Sequence, residues 1–363
     1  RQHQYTKALL AGVAILGEMR GTSYPQPLPL LGAKAQALEQ IIGSESPLLT
    51  VKNLVTRFDV AVGFFRRTVA RVHAAEDVSF TLQKGRTLSL VGESGCGKLT
   101  VGRSLVRLVE PHSREVEIGG QILGDMSAAD LRRARAKTQM VFQDPFASLN
   151  PQMTLMAQVA EPSCSFGTHK GTVLQNRVAE LVDQVELTRS FLGRYPHELS
   201  GGQRQPVAIA RALVLNPKLI VADEAVNAPD VSVQGQVLNL MMGVQADLSF
   251  LFLFISHDMA VFERVSHDVA VMYLGRIVEI VPRQKVFETL QHPYTIALMK
   301  AVPAADPTKK QLDRDLKFKA IPSPVHSSNF IPEPPVYTEI TPDHFVLQTH
   351  CEYKNDVSEI IAF

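Results

Sequence analysis

Three cysteines, Cys96, Cys164 and Cys351, are all that this chain of 363 residues carries, and no two of them form a Cys-x-x-Cys pair. That scarcity argues against a zinc or iron–sulfur site and points to a reducing compartment. A charge excess of either sign is also lacking, because 37 Lys and Arg against 36 Asp and Glu leave a formal net charge of +1. No global field therefore selects nucleic acid or an anionic membrane. Long apolar runs are missing too: the longest, near residues 8–17 and 250–255, fall well short of the roughly 20 residues that a spanning helix needs. A role at a membrane would require docking on something that crosses it. With neither an initial methionine nor a signal-like leader, the chain reads as an excised piece.

What is present is an ordinary globular composition, 45% hydrophobic and 20% charged, long enough for one large or two to three smaller domains. The stretch on which the chain is organised is Val91 to Thr100, VGESGCGKLT, where the apolar run of Leu88, Leu90 and Val91 gives way to three glycines and a lysine. It reads as a strand, a phosphate-cradling loop and the start of a helix. Gly92, Gly95 and Gly97 allow positive φ, so the N–H groups of Glu93, Ser94, Gly95, Cys96 and their neighbours can converge, and Lys98 reaches the β and γ phosphates. The P-loop pattern asks for Ser or Thr after the lysine as a magnesium ligand; here Leu99 stands there and Thr100 is one place later. A glycine-rich turn that merely joins strand to helix is the alternative.

The segment HQYTKALLAGV (His3 to Val13) returns as HPYTIALMKAV (His292 to Val302), an internal repeat about one domain length apart. Residues 1–47 therefore read as the tail of an upstream copy plus a linker, dispensable for folding of the domain that begins at Leu48. From Leu48, LLTVKNLVTRF and VHAAEDVSFTL are β-like and lead to the loop strand RTLSLVG. Phe58 is a candidate platform for an adenine and equally a core residue. Helical periodicity covers Thr100 to Leu108, EVEIGGQIL reads as a hairpin around Gly119-Gly120, and Thr172 to Leu187 is an amphipathic helix with a core-facing side. Gln143 ends the apolar run MVF.

Next comes LSGGQRQ, in which Ser200 can cap a helix whose first N–H groups, around Gly201, Gly202 and Gln203, form an anion site. The strand LIVADE delivers Asp223, able to hold a metal through water, and Glu224, able to orient or deprotonate a water. A third strand, FLFLFIS, ends in His257-Asp258. Single polar residues at strand ends are usually just solvated, but three strands ending this way form a constellation, because open α/β sheets bind ligands at that edge. AVMYLGRIVEIV is a hairpin around Gly275, and the last sixty residues read as a small appendage with little core of its own.

The order P-loop, Gln143, LSGGQRQ, LIVADE, ISHD resembles the nucleotide-binding subunit of an ABC transporter, and GESGCGK, VFQDPFASLNP, DVSVQGQVLNLM and HPYTIALMKAVP resemble its oligopeptide and dipeptide importer branch. The duplicated HxYTxAL resembles fused double ATPases. The resemblance implies an α/β fold: a RecA-like parallel core sheet, an antiparallel β subdomain and a helical signature subdomain over residues 48–287, with a C-terminal extension over 288–363. It implies ATP and Mg²⁺ as ligands, phosphates held by Lys98 and the loop amides, and Asp223, Gln143 and Thr100 near the metal. Glu224 would be the catalytic base, His257 the switch and Gln143 the γ-phosphate sensor. Ser200 and Gly202 would act on ATP held by a second ATPase half in a head-to-tail dimer. Two membrane permeases and, indirectly, a solute-binding protein would be partners, at the cytoplasmic face of the membrane.

Several positions depart from the family pattern. The family usually has Ser at Leu99, Arg at Pro206, Pro at Ala225, Ser at Asn227 and Leu at Pro229, and often a C-terminal cysteine cluster that Cys351 alone cannot make. Three readings compete: an importer ATPase, a degenerate half that binds ATP without turnover and regulates its partner, and a soluble ABC ATPase acting on nucleic acid. The last is disfavoured by the lack of a strongly basic stretch.

Overall fold

In the computed structural model the residues described are 14, 16–22, 24–30, 46–63, 67–124, 126–226, 231–302 and 323–348. The first copy of the repeat, Asn227, Pro229 and Cys351 lie outside the described residues. Two sheets organise the rest. An antiparallel sheet is built from β1 (Leu49–Val62), β2 (Arg67–Leu82), β4 (Ser113–Ile118), β5 (Gln121–Ile122) and β11 (Val325–Ser327), in the order β11-β2-β1-β4-β5. The core sheet contains β3 (Thr87–Val91), β6 (Thr138–Val141), β7 (Leu219–Asp223), β8 (Leu251–Ile255), β9 (Asp268–Tyr273), β10 (Arg276–Pro282), β12 (Tyr337–Thr341) and β13 (His344–Leu347), in the order β12-β13-β10-β9-β3-β8-β7-β6.

The pairs β3/β9, β3/β8, β7/β8 and β6/β7 are parallel, while β9/β10, β10/β13 and β12/β13 are antiparallel. Every residue of β3, β7 and β8 is buried, which is why TLSLV, LIVAD and LFLFI read as nearly unbroken apolar runs rather than alternating ones. One core packs between the two sheets around Leu54, Leu90, Val101 and Leu253. A second joins the core sheet to the helices Leu155–Phe166, Gly171–Gln184 and Gly201–Leu213. The apolar side of Gly171–Gln184, namely Leu174, Val178, Leu181 and Val182, is buried in it. The helix after the glycine loop ends at Leu105, earlier than its periodicity suggests, and Leu108 is exposed.

The described part of the N-terminal segment departs from expectation. Residues 16–30 do not stand apart from the domain: Gly17 and Met19 N–H groups donate to Glu263 at 2.6 and 3.1 Å, and Arg283 donates to the Thr22 carbonyl at 2.6 Å. Arg264 pairs with Glu18, and the Asn239 side chain brackets Leu28 with two bonds, at 2.7 and 2.8 Å. The appended region lacks a core of its own because its strands complete the existing sheets: β11 pairs with β2, and the β12–β13 hairpin extends the core sheet from β10.

Glu263, Arg264 and Arg283 are buried, so removing their partners strands charge in the interior. Deleting residues 1–47 is expected to lower the unfolding free energy by about 3 kcal/mol or more, read as a shift of the urea midpoint. An unchanged midpoint would show that these side chains find other partners.

Candidate functional site

Because β3, β8, β7 and β6 run parallel, their C-terminal ends lie along one edge of the sheet. The loop Gly92–Gly97 leaves β3 there, and the helix Lys98–Leu105 returns over the sheet. It can sit close because Gly102 faces Val221 and Ile255, where an added Cβ would lie 2.8 and 2.9 Å from their side chains. Two loop glycines are obligatory: Gly97 has φ +108° and would put a Cβ 2.0 Å from the Ala74 carbonyl oxygen, and Gly92 has φ +149° with Met272 O at 2.3 Å. Glu93, Ser94 and Gly95 form the exposed rim, while the Cys96 side chain is buried beneath it. Burial pushes the Cys96 thiol up, against the pull of Lys98, so Cys96 serves the loop through its backbone. Its carbonyl accepts the Gly275 N–H at 2.9 Å.

Lys98 is buried and donates to the carbonyls of Gly92 at 2.7 Å and Glu93 at 2.8 Å. These two bonds hold the ammonium across the loop. Leu99 and Thr100 are both half-buried in the first turn of the helix. At about 100° per residue they face different directions.

Asp223 ends β7 and Glu224 follows it. Burial pushes the Asp223 carboxyl above the usual range and Glu224 adds to this, while Arg103 and Lys98 pull the other way. Glu224 has φ +42°, uncommon for a residue with a Cβ, and its N–H donates to Ile255 O at 2.9 Å. Its carboxylate meets residues from both neighbouring strand ends: Gln143 Nε2 donates to Oε2 at 2.5 Å, and His257 Nδ1 lies 2.9 Å from Oε1. With Nδ1 protonated, His257 donates as well. Two residues, 81 and 33 positions away in the chain, thus converge on the Glu224 carboxylate.

The signature turn is folded on itself. Gln203 turns back to accept the Ser200 N–H at 3.1 Å, and a Cβ on Gly202 would lie 2.9 Å from Val233. The helix Gly201–Leu213 continues through Pro206, which has no N–H for the Gly202 carbonyl. Gln205 Nε2 donates to Ala225 O at 2.5 Å, which ties this helix to the chain just beyond β7. Phe58 is 43% exposed on β1, so the core alternative does not hold for it.

A phosphate-bearing ligand fits the loop: Gly95 has open space at the exposed rim, and a buried ammonium is already fixed in place. For magnesium, side-chain oxygens stand at the ends of β6 and β7, and the Leu99 position contributes none. Sequence reasoning missed Tyr294, whose hydroxyl accepts the Glu93 N–H at 3.0 Å, and no local spacing could have revealed a partner 201 residues away.

The loop, the convergent carboxylate and the parallel sheet define a P-loop nucleotide-binding domain, and residues 75–227 match the ABC transporter family profile. Residues 278–324 match the oligopeptide/dipeptide transporter C-terminal region. Glutathione import ATP-binding protein GsiA of Escherichia coli (strain K12) is 48% identical over 359 residues, covering 97% of this chain and 58% of that protein. GsiA of Salmonella paratyphi A is 51% identical over 330 residues, 89% of this chain and 53% of that protein. The chain thus spans a little over half the length of these relatives. Among solved structures, a dimeric ATP-binding cassette in a post-hydrolysis state with ADP and phosphate aligns with a TM-score of 0.57 at 26% identity, covering 65% of this chain and 98% of that one. CbiO1 of Clostridium perfringens shares the fold, with a TM-score of 0.58 at 22% identity over 67% of this chain and 91% of that one. The profile match ends before His257 and begins after Phe58.

Substituting Gly97→Ala would drive a methyl group into the Ala74 carbonyl at a φ that alanine rarely adopts. It is expected to cost about 2 kcal/mol or more in urea unfolding and to remove nucleotide binding. An unchanged midpoint would show that the loop can shift away from β2.

Proposed function

We propose that this chain is an ATP-binding half of an importer, coupling ATP binding and hydrolysis to the uptake of a di- or oligopeptide such as glutathione through partner membrane permeases. The observation that carries the reading is the Glu224 carboxylate held between Gln143 and His257 beside the Lys98 loop. Lys98 and the loop amides bind the phosphates of ATP. Glu224 polarises the attacking water, His257 holds its carboxylate in place, and Gln143 links it to the helical region through which motion passes to the permeases. Asp223, with Gln143 and Thr100, would hold Mg²⁺ largely through waters; the metal neutralises charge developing on the phosphates. Phe58, exposed on β1, stacks the adenine.

The second half of the assembly is a like ATPase domain arranged head to tail, so that Ser200, Gly201, Gly202 and Gln203 act on the nucleotide held by that half. Identity to the glutathione importer proteins supports the substrate class. Among the described residues no helix is long and apolar enough to cross a membrane, which suits a peripheral subunit on the cytoplasmic face of its permeases, with a solute-binding protein on the other side.

The test of the catalytic assignment is Glu224→Gln in the chain assembled with its permeases. ATP turnover is expected to fall at least about a hundredfold while ATP affinity is retained. Turnover at the wild-type rate would sink the role of Glu224.

One observation favours a second reading, a half that binds ATP and turns it over slowly. Leu99 places an isobutyl group where a hydroxyl ligand is expected, beside an ion that demands near-octahedral oxygen coordination. Leu99→Ser is therefore expected to raise turnover at saturating Mg²⁺ by at least about tenfold, roughly 1.4 kcal/mol of barrier. Equal rates with equal Mg²⁺ dependence would mean that Thr100 or a water already supplies the oxygen.

A further inference from the structure

The phosphate loop receives one bond from far outside its own motif. Glu93 N–H donates to the hydroxyl of Tyr294, which is buried in the helix Pro293–Ala301 of the C-terminal region. That N–H belongs to the same peptide unit as the Gly92 carbonyl, and it is this carbonyl that accepts the Lys98 ammonium at 2.7 Å. A trans peptide directs its N–H and C=O to opposite sides, so the two bonds pin one rigid plane from both edges. Turning the plane over would aim the N–H at the ammonium and lose the Lys98 bond, leaving the carbonyl to take the Tyr294 hydroxyl as a donor in place of the Glu93 N–H bond seen here. Gly92, with φ +149° and no side chain, offers little conformational resistance of its own. The resistance has to come from a partner.

Tyr294 is itself held in place. Its N–H donates to His292 Nδ1 at 3.2 Å, and the N–H groups of His292 and Gln291 donate to Glu279 at 3.3 and 3.0 Å. Glu279, fully buried in β10, also meets His344 Nε2 of β13 at 2.8 Å. The ring packs on Tyr273, with centroids 4.2 Å apart. A phenylalanine would fill the same space, so the hydroxyl is what joins the C-terminal helix to the loop.

We propose that Tyr294 is a positioning residue for the phosphate loop: by holding the Gly92–Glu93 peptide it sets the carbonyl that orients Lys98, and phosphate affinity thereby depends on the docked C-terminal helix. This rests on the nucleotide-binding reading above. The sequence carries a tyrosine at the same place in its upstream repeat, Tyr5 in HQYTKAL, as the proposal requires if the upstream half uses the same device.

The test is magnesium-free ADP binding to the full 363-residue chain, measured by calorimetry up to millimolar ADP in wild type, Tyr294→Phe, Lys98→Ala and the double variant. Where Lys98→Ala leaves no measurable affinity, Lys98→Met, which fills the same space with no donor for the Gly92 carbonyl, replaces it. Tyr294→Phe is expected to raise Kd about threefold to tenfold, the range one net hydrogen bond supplies. In the Lys98 variant the same change should raise Kd less than about twofold, because the path through the carbonyl is already gone. An equal factor in both backgrounds would mean that Tyr294 acts by packing alone, and no effect in either would mean that the bond is not felt; each overturns the proposal. Wild-type protein that binds no ADP is a distinct result, which would overturn the nucleotide reading of the loop and this proposal with it.

Discussion

The site depends on the parallel hydrogen-bonded register of β3, β8, β7 and β6. Leu90 pairs with Ile255, Asp223 with Ile255 and Ala222 with Val141, so all four strands reach the same edge within one or two residues. A slip of a single residue would turn each buried side chain to the opposite face. Complete burial of β3, β7 and β8 makes such a slip prohibitive. The residues just past the strand ends, Gly92, Gln143, Glu224 and His257, are thereby delivered to one edge of the sheet.

That arrangement also explains what was legible beforehand. The glycine loop, the Ser200 turn and the strand-end carboxylates are short contiguous motifs that local spacing alone picks out. The convergence of Gln143 and His257 on Glu224 is a consequence of the strands being parallel. Phe58 could not be placed, because β1 pairs with β2 through several register shifts that break the simple alternation of inside and outside. Strands β11 to β13, of three to five residues, carry too little pattern to announce themselves; they form because β2 and β10 present open edges. The Tyr294–Glu93 contact and the Glu263 clamp join residues 201 and 246 positions apart, and periodicity holds no information at that range.

Pro206 shows local propensity losing to packing. A proline in a helix interior costs about 3 kcal/mol. The same helix buries Val207, Ile209 and Leu213, each contributing about 1.5–3 kcal/mol on removal from water, and Gln205 ties it to Ala225. The sum exceeds the cost, and the helix runs unbroken from Gly201 to Leu213. Leu99 differs in kind, because nothing in packing can restore a missing oxygen.

The segments at 16–22 and 325–347 read as peripheral by composition, yet both are tied into the domain, and the reason is electrostatic. Glu279 is wholly buried, and a carboxylate so placed requires donors. It finds them in two backbone N–H groups at the start of the C-terminal helix and in His344 of β13. Glu263 is met by Gly17 and Met19 N–H, Arg264 by Glu18, and Arg283 by Thr22. Burial pushes the Glu263 carboxyl up, and the two N–H groups, then the neighbouring arginines, act against it, so the incoming segment offsets a penalty that the domain alone would carry. Hydrophobic patterning marks where cores lie, but the extent of this unit is decided by where its buried charges find their partners. By that criterion Gly17 to Thr22, Leu28 and the strands beyond Ser323 pack with the body that carries the phosphate loop.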